Sequence, residues 1–182
     1  MSATDVLVAF LFVAFVVWRL SSIAGRLDRV HIRRDQAHTS LQLQLAWRTS
    51  TIAKLISSSV LDPISQEILY REISAATNKS EGDFNDYIAA ESELTRTLCK
   101  VFDDQEAVRV LAEDSQTYAV LQDLVHACRR VELARRFHND AVGAAQLLHK
   151  RKIVRWFRLG GHTPVPQPID MDDSIPEGLE WL

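Results

Sequence analysis

Glycine and proline are scarce: 182 residues hold six glycines and five prolines, and four of the prolines fall after residue 160. No turn dipeptide separates alternating apolar runs, so nothing signals a hairpin or a sheet. Cysteine is nearly absent as well. Cys99 and Cys128 are too few for a disulfide framework and read as buried apolar thiols. An excess of basic charge is missing, since the formal net charge is −3, and this argues against nucleic acid as a partner. Residues 160–182 contain no Lys or Arg but carry Asp170, Asp172, Asp173, Glu177 and Glu180, so the remainder of the chain is slightly basic.

Chemistry-bearing motifs are also missing. There is no G-x-x-x-x-G-K-[ST] or G-x-G-x-x-G loop to hold phosphate, no H-E-x-x-H pair, and no G-x-S-x-G elbow. No Glu is followed by His three residues on, which removes the di-iron bundle signature. His31 and His38 stand wider apart than a helical metal pair, and neither cysteine has an activating base near it in sequence. No enzyme activity, metal or cofactor is expected.

What the chain does have is a run without a polar residue, Val6–Trp18. Extended to Ala3 and Leu20, it reaches the about 17 residues that a spanning helix needs. The positive n-region of a signal peptide is missing ahead of it, so residues 1–20 are expected to be a retained single-pass transmembrane anchor, embedded over about 3–20. Arg19, Arg26, Arg29, Arg33 and Arg34 all follow the run, which places the rest of the chain in the cytoplasm, at the cell membrane, by the positive-inside rule.

Apolar residues then recur at helical spacing in three long stretches. The first covers about residues 20–61, with Leu41, Leu45, Ile52 and Leu55 on one face, and Asp62-Pro63 ends it. Asp62 suits an N-cap and Pro63 a first helical turn. The second stretch starts there with Ile64, Ile68, Leu69 and Ile73, breaks at Thr77–Asp83, and resumes with Phe84, Tyr87, Ile88, Leu94, Leu98 and Phe102 on one face. Ser80 is the expected cap of the resumed helix, with Asp83 at its third position. The third runs from about Ser115 to Leu159, with Tyr118, Leu121, Leu124, Val125, Cys128, Val131, Val142 and Ala145 inward, and Gly160 closes it. Three rods of similar length, the middle one broken but running one way, predict an all-α fold. It is a transmembrane helix followed by an antiparallel bundle over 21–159, then a Pro-rich, acidic, disordered tail over 160–182.

The inward stripes carry charge. Helical spacing sets Arg34 and Arg48 on the core face of the first helix, Glu91 on that of the second, and Glu132, Arg135, Asn139 and Gln146 on the third. A buried charge needs a partner. Folding the second and third helices about a shared centre sets Glu91 level with Arg135, which predicts an ion pair, and Cys99 level with Cys128. The polar row Glu91, Glu132, Arg135 and Asn139 is the candidate binding site.

The stretch Val131–Val142, "VELARRFHNDAV", resembles the motif of the LemA family: an aliphatic residue, Ala-Arg-Arg, an aromatic pair with Asn, and Val. Val131, Ala134, Arg135, Phe137, Asn139 and Val142 fit it, with His138 where the family has Tyr. Tyr118-x-x-Leu121-Gln122, Glu91-x-x-Leu94 and the "RLDRV" after the apolar run resemble further family features, so the likeness spans roughly residues 5–159. It implies a membrane-anchored helical bundle without an established enzymatic activity.

In "KRKIVRWFR", Lys150–Arg158, the cations Arg151, Lys152, Arg155 and Arg158 fall on one helix side, while Ile153, Val154 and Phe157 fall on the other. If three rods leave, return and leave again, this end lies roughly 60 Å from the anchor. It is then a helix end cap and a candidate patch for a protein partner, for which the acidic tail competes. The functional expectation is a membrane-tethered interaction or scaffold protein with a protein partner or a second copy of itself. The alternatives are a small-molecule or lipid-binding bundle using the polar row, and an unrecognised enzyme.

Overall fold

The Asp62-Pro63 pair ends one helix and starts the next. In the computed structural model, which describes residues 3–58, 60–150 and 166–182, α1 runs Ala3–Ser57 and α2 runs Pro63–Lys79. Asp62 accepts from the backbone N–H groups of Ile64 and Ser65, both at 3.0 Å, satisfying donors that have no partner inside the helix. Helix α3, Phe84–Val101, is capped by Asp83 through the N–H of Asn85 and Asp86. Ser80 instead closes α2, its backbone N–H donating to Thr77 O. The capping expectation is thus corrected by one turn: Asp83 is the residue with extended backbone whose carboxylate faces free N–H groups. A short α4, Gln105–Leu111, capped by Asp104, turns the chain into α5, Ser115–His149. A single 3-10 turn, Glu177–Leu179, follows in the tail. No strand occurs among the described residues.

Two compact units divide the chain. One combines Met1–Ala37 with Asn139–Pro168, the other His38–His138 with Ile169–Leu182. In the second unit two apolar clusters fix the helix directions. Leu41 and Leu45 of α1 join Ala76, Tyr87, Ile88, Val131 and Ala134 in one cluster. Ile52 and Leu55 join Leu69, Leu94, Leu98, Leu121, Leu124 and Cys128 in the other. Helices α1 and α3 therefore run the same way, and α2 and α5 run against them. The two pieces of the middle stretch form a hairpin rather than one broken rod, so the expected three-rod path is corrected to a four-helix up-down-up-down path. The break at residues 80–83 reverses the chain instead of kinking it.

That reversal changes where α5 ends. In the first unit Leu148 stands beside Arg29 and Arg33 of α1, so α5 comes back to the N-terminal part of α1. The inferred separation of roughly 60 Å from the apolar run, built on a single rise per rod, does not hold. Arg151, Lys152, Arg155 and Arg158 lie outside the described residues.

The tail differs from expectation as well. Residues 166–182 pack rather than hang free: Ile169, Met171 and Leu179 are buried, and Leu179 enters the same cluster as Leu98 and Leu121. Acidic, Pro-rich composition signals disorder only where apolar residues are too few to bury, and these three supply the missing contacts.

Among the described residues no helix is long and apolar enough to cross a membrane. The expected span over 3–20 is therefore not found in the fold. The charge-free run Val6–Trp18, between Asp5 and Arg19, has 13 residues, about 20 Å against a hydrocarbon core of about 30 Å.

Candidate functional site

The stripe Leu41, Leu45, Ile52 and Leu55 leaves one inward position, Arg48, occupied by a charge, and Glu91 holds the equivalent place on α3 between Ile88 and Leu94. Both are sealed, at 1 % and 0 % exposure. Arg48 Nη2 donates to Glu91 Oε2 at 2.7 Å and to the Glu91 carbonyl at 3.2 Å, while Nη1 donates to Thr95 Oγ1 at 2.9 Å. Thr95 Oγ1 in turn donates to the Glu91 carbonyl at 3.0 Å. The two apolar clusters are thus separated by one polar layer. Arg48 Nε and Glu91 Oε1 have no hydrogen-bond partner within the protein.

This layer sets the chemistry of its neighbours. Burial first, then the Glu91 carboxylate, pushes the Tyr87 phenol well above its ordinary value, with Arg48 opposing. Burial raises the Cys128 thiol, again against Arg48, and burial followed by the charge of Asp172 raises Cys99. Both thiols are free and held protonated, the reverse of what a nucleophilic cysteine needs.

The raised groups have a consequence for stability. In the unfolded chain the thiols titrate at 9.0 and the phenol at 10.0, whereas in the fold they keep their protons to higher pH. The folded state then binds more protons above pH 9, so its stability is fully present below that pH and falls as pH rises through the raised values. The urea midpoint of the wild type should drop between pH 8 and pH 10.5, and Tyr87→Phe should drop by less. Equal slopes in the two proteins would show that Tyr87 is not held protonated.

A second construction lies outside the sealed layer. Arg135 grips Asp173 with two bonds, Nε to Oδ2 at 2.6 Å and Nη2 to Oδ1 at 3.1 Å. The hydrogen bond to Asp173, larger than the opposing burial, raises the Arg135 pKa further. On the neighbouring residue, the Asp172 N–H donates to Ser92 Oγ at 3.2 Å, and its carboxylate lies 3.9 Å from Arg96 Nε. Farther along, the Gly178 N–H donates to the Phe102 carbonyl at 3.0 Å. The tail crosses the second unit as a strap pinned at both ends.

The expected polar row therefore does not converge. Glu91 pairs with Arg48 and Arg135 with Asp173, so the predicted Glu91–Arg135 pair is corrected. Arg48 of α1 and Asp173 of the tail, neither of them on the α3–α5 pair, claim the two charges. Glu132 pairs with Arg136 one turn on, at the surface. Asn139 falls in the other compact unit, as does Gln146, whose amide donates to the Pro166 carbonyl at 2.8 Å. Arg34 is no core charge: it is paired with Asp35 at 2.5 Å. Sequence reading placed Arg48 and Glu91 inward but not together. It missed the strap partners Asp172 and Asp173, for which tail acidity was the only signal.

His38 of α1 and His138 of α5 meet with ring centroids 5.7 Å apart, and the Phe84 ring lies 4.5 Å from that of His38, tilted by 55°. Among the described residues no group of three or more His, Cys, Asp or Glu stands where it could hold a metal ion. Comparison with family models, curated proteins and solved structures finds no match for this chain.

Proposed function

We propose that the protein is a membrane-tethered helical-bundle interaction protein, of the LemA-like type that its motif resembles, and that it works by binding rather than by catalysis. One observation carries the reading. From Val6 to Trp18, ten large apolar side chains on α1 stand open, from 52 % exposed at Val6 to 69 % at Phe10, around nearly the whole helix. A helix that is apolar all round belongs in an apolar surrounding. The cluster of arginines that begins at Arg19, directly after the run, supports a bilayer as that surrounding. Because the run is short, its burial relies on Arg19 extending its stem along the apolar zone with its head among phosphates. The bundle would then face the cytoplasm and bind a protein partner or a second copy.

The test is fractionation of cells expressing the full chain. The protein should stay in membranes through high salt and through alkaline carbonate. Phe12→Asp with Val13→Asp should release it, since each charge at the centre of a helix in hydrocarbon costs about 2.5–3.5 kcal/mol. Release of the wild type by carbonate would reject the tether, and protection of the bundle from protease added to intact spheroplasts would be required for the cytoplasmic side.

A further inference from the structure

The first compact unit holds an open cleft of about 610 Å³, lined by Arg26, Arg29, Val30, Ile32, Arg33 and Gln36 of α1 and by Leu148 of α5, with no carboxylate among the described residues of its wall. We infer that this cleft binds the phosphate-bearing headgroup of an anionic lipid.

The helix sorts its charges to make this site. At about 100° per residue, Arg19, Arg26, Arg29 and Arg33 fall within an arc of about 80°, while Asp28 and Asp35 lie on the far side. All four arginines are exposed. Three guanidinium groups on the wall offer forked donors suited to phosphate oxygens. Gln36 adds a neutral donor and Leu148 an apolar edge.

The position along α1 selects the source of the phosphate. From Trp18 to Arg26 the helix rises about 12 Å, and to Arg33 about 22 Å. Long side chains on a helix lean toward its N-terminus, which moves the charged heads about one turn back toward the apolar run. Arg26 then reaches the headgroup layer, about 5–8 Å deep per leaflet. Arg29 and Arg33 stand within about a Debye length of it. A free phosphate fits the same donors, but only a lipid is delivered to them by the segment beside it. Headgroup binding of this kind presupposes the tether.

The experiment uses the full chain reconstituted in bilayers of equal parts phosphatidylcholine and phosphatidylserine, extracted gently and weighed by native mass spectrometry with its bound lipid. Each arginine near an anionic surface contributes about fivefold, so the serine lipid should be retained about 100-fold over the choline lipid. The preference should weaken with salt. Arg26→Gln with Arg29→Gln and Arg33→Gln should abolish it, while Arg→Lys at the same three positions should keep only part of it, because an ammonium lacks the fork, with helix content by circular dichroism unchanged in both. Carbonate-resistant protein that retains the two lipids in bilayer proportion would overturn the headgroup site and leave the tether standing. Displacement of the bound serine lipid by millimolar inorganic phosphate would overturn the lipid assignment in favour of a free anion. Carbonate-extractable protein that still binds inorganic phosphate would overturn the tether and the lipid assignment together.

Discussion

Arg48→Met is expected to destabilise the bundle by about 3–5 kcal/mol, the cost of removing one partner from a buried ion pair. The change leaves the Glu91 carboxylate at 0 % exposure with neither its cation nor water. It must either stay charged without a partner or take up a proton, and both cost free energy. Thr95 also loses the donor at 2.9 Å. Domains of this kind have about 5–15 kcal/mol in total, so the urea midpoint by far-ultraviolet circular dichroism should fall steeply. The double variant Arg48→Met with Glu91→Leu should recover most of the loss or exceed wild-type stability, because an apolar pair of similar volume needs no desolvation. Recovery is favoured here in particular, since Arg48 Nε and Glu91 Oε1 are buried without a hydrogen-bond partner from the protein in the wild type. A loss under about 1 kcal/mol in the single variant, the range of an exposed pair, would show that the pair is not sealed in solution.

The same layer bears on specificity. Apolar clusters lie on both sides of Arg48 along α1, and their leucines are interchangeable in shape. A slip of α1 by one turn against α3 would bring a guanidinium against Ile88 or Leu94 without its carboxylate. Hydrophobic packing alone would tolerate that slip, and the charge pair does not.

Leu179→Ala is the second large effect, expected to cost about 2–5 kcal/mol as a large-to-small change at a fully buried site. Leu179 is 0 % exposed and packs in the cluster with Phe102 and Val108. Its neighbour gives an independent test of the same strap. A Cβ added at Gly178 would come within 2.5 Å of the Phe102 carbonyl oxygen and 3.2 Å of a Val108 methyl. The first of these is backbone, so the strap or the end of α3 must shift, and Gly178→Ala should cost about 1–3 kcal/mol, as overpacking does. Both variants should make residues 166–182 open to a protease that spares them in the wild type. Unchanged cleavage together with a loss below about 1 kcal/mol for Leu179→Ala, far under the range for a buried leucine, would mean that the tail does not contribute to the core.

Helix by helix, most of the architecture was legible in the sequence. Leu41, Leu45, Ile52, Leu55, Leu94, Leu98, Leu121, Leu124 and Val131 are buried as their spacing demands, because a helix repeats its faces locally and needs no distant contact to do so. Tyr118 and Ile64 are exceptions: the first, at the start of α5, is 36 % exposed and the second, in the first turn of α2, 73 %. Asp62-Pro63 was readable for a similar reason, since a cap and a fixed φ act within four residues. Helix α4 was not readable, as seven residues carry too little periodicity to separate from a loop.

The sequence by itself determined an all-helical chain, its inward faces, the need of Arg48 and Glu91 for partners, and an apolar run followed by arginines. The tertiary structure alone decided which way α3 runs, that Arg48 rather than Arg135 meets Glu91, and that an acidic tail becomes a strap. The physical reason is range. Periodicity, capping and charge sorting are properties of neighbours along the chain, whereas helix direction and ion-pair partners are settled by which faces bury together across 40 or more residues. A single leucine in a short tail has no period to announce it, and only the buried cluster it shares with Phe102 and Val108 gives Leu179 its place.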